Sequence, residues 1–350
     1  MFSKKIVKVG NVAMGGKNKI LVQSMLNKPS EDIAANVAQA KELEENGCEI
    51  IRISVPNNES VKTVFALKQA LRIPVVADIH FDYRMAIESI YAGADKIRIN
   101  PGNIEDKNQL KQIVDLCIEK NVPIRVGLNS GCIPKHILAK KGPTAEALVD
   151  ATLECILTLN SFDFDNIVVS LKSSSVLQTI EAYTSISSKT DYPLHLGVTE
   201  AGTAETGIVK SSIGIGHLLL NGIGDTIRVA LTGEPIEEVK TGINILKALN
   251  LKTGLDIISC PTCGRTKTNL IDITNRIKDK LMKTSVRDKD IKIAVMGCAV
   301  NGPGEARNVD FGIACGKHEG LIFKRGKIIK KVPEEELVME FINIVLQETQ

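Results

Sequence analysis

The sequence predicts an α/β fold: a TIM-type (β/α)8 barrel over residues 1–250, then a small α+β domain over 251–350. Three observations predict it. Eight short apolar runs alternate with amphipathic segments up to about residue 250, the rhythm and size of such a barrel. Each run is rich in β-branched residues and almost continuously apolar, as parallel strands covered on both faces should be. The rhythm breaks near Lys252-Thr253-Gly254, and 350 residues exceed what one core usually holds. An open doubly wound sheet is the alternative, but no G-x-G-x-x-G follows the first run.

The predicted barrel strands are 20–23, 49–55, 74–80, 96–100, 123–129, 166–172, 193–200 and 225–232. Residues 5–16 precede them and are expected to form a hairpin closing the barrel bottom. Between the strands, Ser30, Asp82, Thr144 and Ser173 are placed to cap helices, and Gly47 to stop the first. A helix over 234–249 follows the last strand. The second domain should run strand 255–259, helix 268–282, strand 291–295 and strand 309–314. A hairpin about Lys324-Arg325-Gly326 and a helix from Pro333 then close it.

Composition excludes several classes. A formal charge of +3, 3% aromatics and no tryptophan do not suit a nucleic-acid binder. No stretch is long and apolar enough to span a bilayer. The start, Met1-Phe2-Ser3-Lys4-Lys5, lacks the apolar run of an export signal, so a cytoplasmic protein with reduced thiols is expected. Cys48, Cys117 and Cys155 fall in apolar periodic segments and read as small core hydrophobes.

Four predicted strands carry an arginine between aliphatics: Arg52, Arg98, Arg125 and Arg228. A guanidinium cannot be neutralised, and burying it unpaired is very costly. Alternation places Ser54 with Arg52, Asn100 with Arg98 and Asn129 with Arg125 on one face, and Lys172 ends another strand. These groups should converge at the strands' carboxyl ends, where barrel sites lie. Each arginine could instead pair with an acid inside the barrel, but the strands offer few: Asp78, Glu200 and Asp225. A surplus of cations points to an anionic ligand, and two phosphates fit this many. Lys210-Ser211-Ser212-Ile213-Gly214-Ile215-Gly216 reads as a Gly-rich phosphate loop opening a helix. His80 and His195 stand out only by position, whereas His136, His217 and His318 read as bland. Glu200 is the preferred acid/base, since an acid in a cationic mouth needs a reason to be there.

Cys260-Pro261-Thr262-Cys263, Cys298 and Glu305 gather in the last third. The C-x-x-C pair alone suits zinc, dithiol chemistry or an iron–sulfur cluster. Structural zinc wants a second tight pair, which is missing, and Cys298 to Cys315 is too loosely spaced. A [4Fe–4S] cluster on Cys260, Cys263 and Cys298 would leave one iron to a weaker ligand. Glu305, just past Gly302-Pro303-Gly304, suits that place. Cys315 is left over as structural.

Five segments together resemble the 4-hydroxy-3-methylbut-2-enyl diphosphate synthase family of the methylerythritol phosphate route to isoprenoids. They are Val76–Asp82 with its Asp78-Ile79-His80, Lys96-Ile97-Arg98-Ile99-Asn100-Pro101-Gly102-Asn103, His195-Leu196-Gly197-Val198-Thr199-Glu200-Ala201-Gly202, Cys260–Arg265 and Asn301-Gly302-Pro303-Gly304-Glu305. The resemblance implies a TIM-type barrel and an iron–sulfur domain similar to those of sulfite and nitrite reductases. It implies cluster ligands Cys260, Cys263, Cys298 and Glu305. The implied reaction is reductive opening and dehydroxylation of 2-C-methyl-D-erythritol 2,4-cyclodiphosphate, with reduced flavodoxin or ferredoxin as donor. It also implies a head-to-tail homodimer. The chain leaves no room for the extra domain of plant-type members, as in the compact bacterial form. Cys132 stands where that family suggests a small hydroxyl residue. The alternative is a phosphate-binding barrel synthase or aldolase with a structural zinc domain.

Overall fold

The computed structural model describes residues 3–100, 104, 106–266, 268–298 and 308–349. The chain forms two compact units that divide between Leu251 and Lys252. In the first unit a hairpin, β1 (Val7–Val9) and β2 (Val12–Met14), precedes the barrel strands. These are β3 (Leu21–Met25), β4 (Ile50–Ser54), β5 (Val75–Asp78), β6 (Lys96–Ile99), β7 (Ile124–Asn129), β8 (Ile167–Lys172), β9 (His195–Leu196) and β10 (Thr226–Ile227). They pair in the order β8-β7-β6-β5-β4-β3-β10-β9. A parallel bridge from Val169 to Leu194 joins the two ends of this order, so the sheet closes. The Val169 amide donates to the Pro193 carbonyl at 2.8 Å across that seam.

Outward-facing aliphatics of the strands pack on the surrounding helices in one large cluster. Inward-facing residues behave differently along the barrel. At the bottom, Leu21, Ile50, Val76 and Val168 pack with Val7, Val9 and Met14 of the hairpin, which forms the expected plug. Higher up, the inward positions turn polar and charged. β9 and β10 are much shorter than the apolar runs 193–200 and 225–232 suggested. Beyond Leu196 the chain leaves the ladder, with Glu200 at φ +51° and Gly202 at φ +109°, values no strand adopts.

Two caps differ from the sequence expectation. Asp32, not Ser30, accepts the amide of Ala35 to start the first helix. Ser175, not Ser173, accepts the amide of Gln178. Ser173 instead bonds the Ser175 amide and Gln178 side chain, bracing the turn before the helix. Asp82 and Thr144 cap as expected. A short helix at Lys135–Lys141 has no counterpart in the sequence reading.

The second unit holds β11 (Asp256–Ser259), β12 (Lys292–Met296), β13 (Phe311–Cys315), β14 (Glu319–Lys324) and β15 (Lys327–Pro333), paired in that order. The β11–β12 and β12–β13 pairs are parallel; the rest are antiparallel. The β14–β15 turn places Arg325 and Gly326 at φ +48° and +75°, the left-handed pair that a two-residue hairpin needs. Helices Leu270–Leu281 and Glu334–Glu348 bury Ile273, Ile277, Leu337 and Phe341 in the core they share with the sheet.

Candidate functional site

The barrel interior gathers the predicted cations. Registered pairs place Asp78 beside Arg98, and Arg98 beside Arg125, across β5, β6 and β7. Asp78 is 3% exposed and serves two guanidiniums: Arg98 Nη1 at 3.0 Å and Arg52 Nε at 3.5 Å. Burial alone would raise its pKa. Arg52, Arg98 and Arg125 outweigh burial and hold the carboxyl below its ordinary value. Arg98 Nη2 also donates to the Gly127 carbonyl at 2.9 Å. Arg125 is 1% exposed; Nη1 reaches Gln23 Oε1 at 3.4 Å, and Nε has no partner among the described residues.

Arg228 meets an acid that the strand-by-strand reading missed. Glu238, on helix Pro235–Ala248, accepts Arg228 Nε at 3.3 Å and Nη2 at 3.2 Å. It also accepts the Leu231 amide at 3.0 Å. No strand pattern could have shown this, because Glu238 comes from a helix that folds back over the strand end. Asp225, an acid the strand pattern offers to the barrel, is spent elsewhere. It accepts the Leu194 amide at 2.8 Å and the Ser3 hydroxyl at 2.7 Å, at the start of β10. The alternative of internal pairing therefore holds in part: Asp78 and Glu238 face Arg52, Arg98, Arg125, Arg228 and Lys172.

Lys172 is buried at the end of β8, opposite Asn129 in register. Burial, then Arg125, Arg52, Arg228 and Arg98, push its amine well below the usual lysine range. Lys96 was also missed, although alternation along 96–100 sets it on the face of Arg98 and Asn100. It is fully buried at the foot of β6, and its Nζ has no partner among the described residues. His195 is fully buried; Nδ1 meets Thr226 Oγ1 at 2.7 Å and Nε2 is unpartnered among the described residues. Burial, then Lys172 and Arg125, keep this imidazole neutral. Asn100 is buried and Asn129 half-buried, while His80 and Glu200 are exposed.

The expected phosphate loop is not a loop. Residues 210–216 lie inside helix Ala204–Leu220, with Lys210 half-buried on its second turn. Gly214 within that segment, and Gly207 just before it, serve packing. A Cβ on Gly207 would stand 2.6 Å from Leu231, and one on Gly214 would stand 2.9 Å from Val198. The helix thus lies close against the barrel, and no backbone cradle forms at Lys210.

In the second unit, the ends of two parallel neighbours bring thiols to one sheet edge. Cys260 follows β11 directly, and Cys298 comes two residues after β12. The Gly297 amide donates to Cys260 Sγ at 3.1 Å, the kind of bond that steadies a thiolate. Cys263 is exposed, and its thiol is lowered chiefly by the Arg265 backbone amide. A Cβ on Gly297 would stand 2.9 Å from Thr266 Oγ1, so the loop after β12 nests against the C-x-x-C loop. Glu305 lies outside the described residues. Among the described residues no three His, Cys, Asp or Glu side chains stand close enough to hold a single metal ion. A cluster asks for a different spacing, since its thiolates bind separate irons. The converging thiols and the amide donor suit it. Cys315 is buried behind them, and burial raises its thiol. Cys48 is pushed up to about 12 by burial, and Cys117 higher still, as inert core thiols should be. The basic residues near the hairpin are offset by acids: Lys324 by Glu348, Lys330 by Glu340 and Lys331 by Glu319.

Fold and site together define a two-unit barrel protein with a cationic barrel mouth and a thiol-bearing sheet edge in its second unit. The chain belongs to the GcpE family. Residues 4–243 match the GcpE TIM-barrel domain and 256–347 match the GcpE protein C-terminal domain. It is 56% identical over 339 residues to the 4-hydroxy-3-methylbut-2-en-1-yl diphosphate synthase (flavodoxin) of Caldicellulosiruptor saccharolyticus, covering 97% of each chain. It is 52% identical to the protein of the same name from Clostridium perfringens, again covering 97% of each. Among solved structures, the dihydropteroate synthase of Xanthomonas albilineans superimposes with a TM-score of 0.52 at 14% identity. That match covers 70% of this chain and 97% of the other. The synthase from Vibrio fischeri ES114 gives 0.52 at 15%, covering 70% and 98%. These two likenesses concern the barrel fold alone. No helix among the described residues is long and apolar enough to cross a membrane.

Proposed function

We infer that this chain reductively opens and dehydroxylates 2-C-methyl-D-erythritol 2,4-cyclodiphosphate to 4-hydroxy-3-methylbut-2-enyl diphosphate. Water leaves, and two electrons arrive from reduced flavodoxin. The observation that carries the reading is the imbalance in the barrel mouth. Among the described residues the ion pairs of Arg52, Arg98 and Arg228 go to only two acids, Asp78 and Glu238, while Arg125 and Lys172 have none. A diphosphate supplies the charge that these two acids do not.

In this reading the arginines bind and orient the two phosphates, with Asn100 and Asn129 donating from the strand ends. Lys172 adds an amine at the same level as Asn129. His195, neutral and tethered to Thr226, fixes the wall of the site rather than moving protons. Glu200 stands exposed in its left-handed turn and is assigned the proton needed where the hydroxyl departs. Lys210 has lost the loop that recommended it, and only its charge remains in its favour. Cys260, Cys263, Cys298 and Glu305 would hold a [4Fe–4S] cluster. Such a cluster, when bound, supplies electrons singly and one Lewis-acidic iron with a displaceable ligand. A head-to-tail homodimer in the cytoplasm, and ferredoxin as a second donor, complete the proposal.

Anaerobic purification with iron, sulfide and zinc analysis tests it. Four irons and four sulfides per chain are expected. Stoichiometric zinc in colourless, oxygen-protected protein would favour the barrel synthase with a structural zinc domain and would end the present reading.

A further inference from the structure

Two glycines in the barrel wall are not required by their own backbone angles. Gly127 lies in β7, two residues past Arg125, and Gly197 lies just past β9, two residues past His195. Neither has a positive φ. A glycine inside or just past a strand costs stability and packs nothing, and it often marks a close approach by another group. Here the approaching groups are the cations of the mouth and, at Gly197, the Arg228 carbonyl as well. A Cβ on Gly127 would stand 2.6 Å from Arg98 Nε, 3.3 Å from its Cγ and 3.4 Å from its Cδ. A Cβ on Gly197 would stand 2.6 Å from the Arg228 carbonyl oxygen, 2.8 Å from Lys172 Nζ and 3.2 Å from its Cε.

We propose that Gly127 and Gly197 are positioning residues for the anion site, the absent side chains forming the slots in which Arg98 and Lys172 cross the barrel. The slot at Gly127 is also an anchor. Arg98 donates Nη2 to the Gly127 carbonyl at 2.9 Å and Nη1 to Asp78 at 3.0 Å, so the side chain is pinned at its far end while its middle lies over the glycine. A methyl group there meets the stem, which cannot step aside without breaking one of those bonds. At Gly197 the methyl meets the backbone of the next strand at Arg228, so two cations shift together. The inference rests on the reading of the mouth as a diphosphate site and names the residues that set its shape.

The test uses the full chain, its cluster content checked, with Gly127→Ala and Gly197→Ala. Inorganic pyrophosphate is the calorimetric probe. Each variant should keep its iron and bind pyrophosphate roughly ten- to a hundredfold more weakly, the effect of losing one charge-assisted bond. With the cyclic substrate, KM should rise more than kcat falls. A melting cycle provides a second reading. Gly127→Ala should lower the barrel midpoint in the native background but not in the Arg98→Ala background, where the stem is gone. Unchanged pyrophosphate affinity in the glycine variants, or an equal melting loss with and without Arg98, overturns the inference. If the double variant does not fold, it is overturned as well. If the native protein itself ignores pyrophosphate, the diphosphate reading of the mouth fails and the role given to Gly197 falls with it, while the melting cycle alone decides the role of Gly127.

Discussion

Asp78→Asn is the sharpest probe of the barrel interior. Asp78 is one buried carboxylate between Arg98 at 3.0 Å and Arg52 at 3.5 Å. At an effective dielectric of about 20, each such contact is worth roughly 4 kcal/mol of attraction, set against several kcal/mol of desolvation per ion. Asparagine keeps the shape and one acceptor but removes the charge, leaving Arg52, Arg98 and Arg125 to repel one another. Losing the charge of a buried pair costs about 3–5 kcal/mol, and the retained acceptor returns part of this, so a loss of about 2–4 kcal/mol is expected. The assay is intrinsic. The chain has no tryptophan, and its tyrosines, Tyr83, Tyr91, Tyr183 and Tyr192, all lie in the barrel unit, so tyrosine emission in urea reports that unit alone. The pH dependence has a definite sign. The folded pKa is depressed, so the stabilisation is complete above the unfolded value of about 4 and is lost as pH falls through the folded value. The gap between native and variant protein should therefore close in acid. A loss below about 1 kcal/mol at neutral pH, or a gap that persists in acid, would refute the reasoning.

Glu238→Gln should free Arg228 and raise the KM for the cyclic diphosphate several-fold, with iron content unchanged; loss of iron instead would show that the effect is not local. Arg98→Ala should keep the cluster and raise KM by about a hundredfold, the upper range for a charge-assisted contact, and unchanged kinetics would remove it from the phosphate site. Cys298→Ser should lose iron and turnover together, read by metal analysis beside the activity assay. The depressed amine of Lys172 predicts proton uptake when an anion arrives. Pyrophosphate titrations in buffers of different ionisation enthalpy should show uptake, with affinity falling as pH rises. Proton release on binding would contradict it.

The alternation of apolar runs and amphipathic segments made the barrel legible, because strands buried on both faces must be apolar nearly throughout. The arginines were legible for the opposite reason: a fixed charge inside such a run has no bland explanation. The thiol spacing around Cys260 was legible as well, since soft ligands repeat at short intervals. Other features were not. The segment 210–216 misled, because a glycine such as Gly214, which lets a helix lie close to Val198, looks the same in one dimension as a glycine that cradles phosphate. Lys96 is readable by alternation, since it shares a strand face with Arg98 and Asn100. The short paired lengths of β9 and β10 could not be seen, because Val198 and Ala201 past Leu196 stay apolar and buried while the chain turns out of the sheet.

By itself the sequence determined the alternating elements, the burial of cations within strands and the grouping of thiols, because periodicity and residue chemistry are local properties. Only the tertiary structure decided which acid answers which arginine. Asp78 is shared by Arg52 and Arg98, Asp225 is consumed at the barrel bottom, and Glu238 arrives from a helix to hold Arg228. Charge pairing depends on distance in space, and closing the barrel sets those distances.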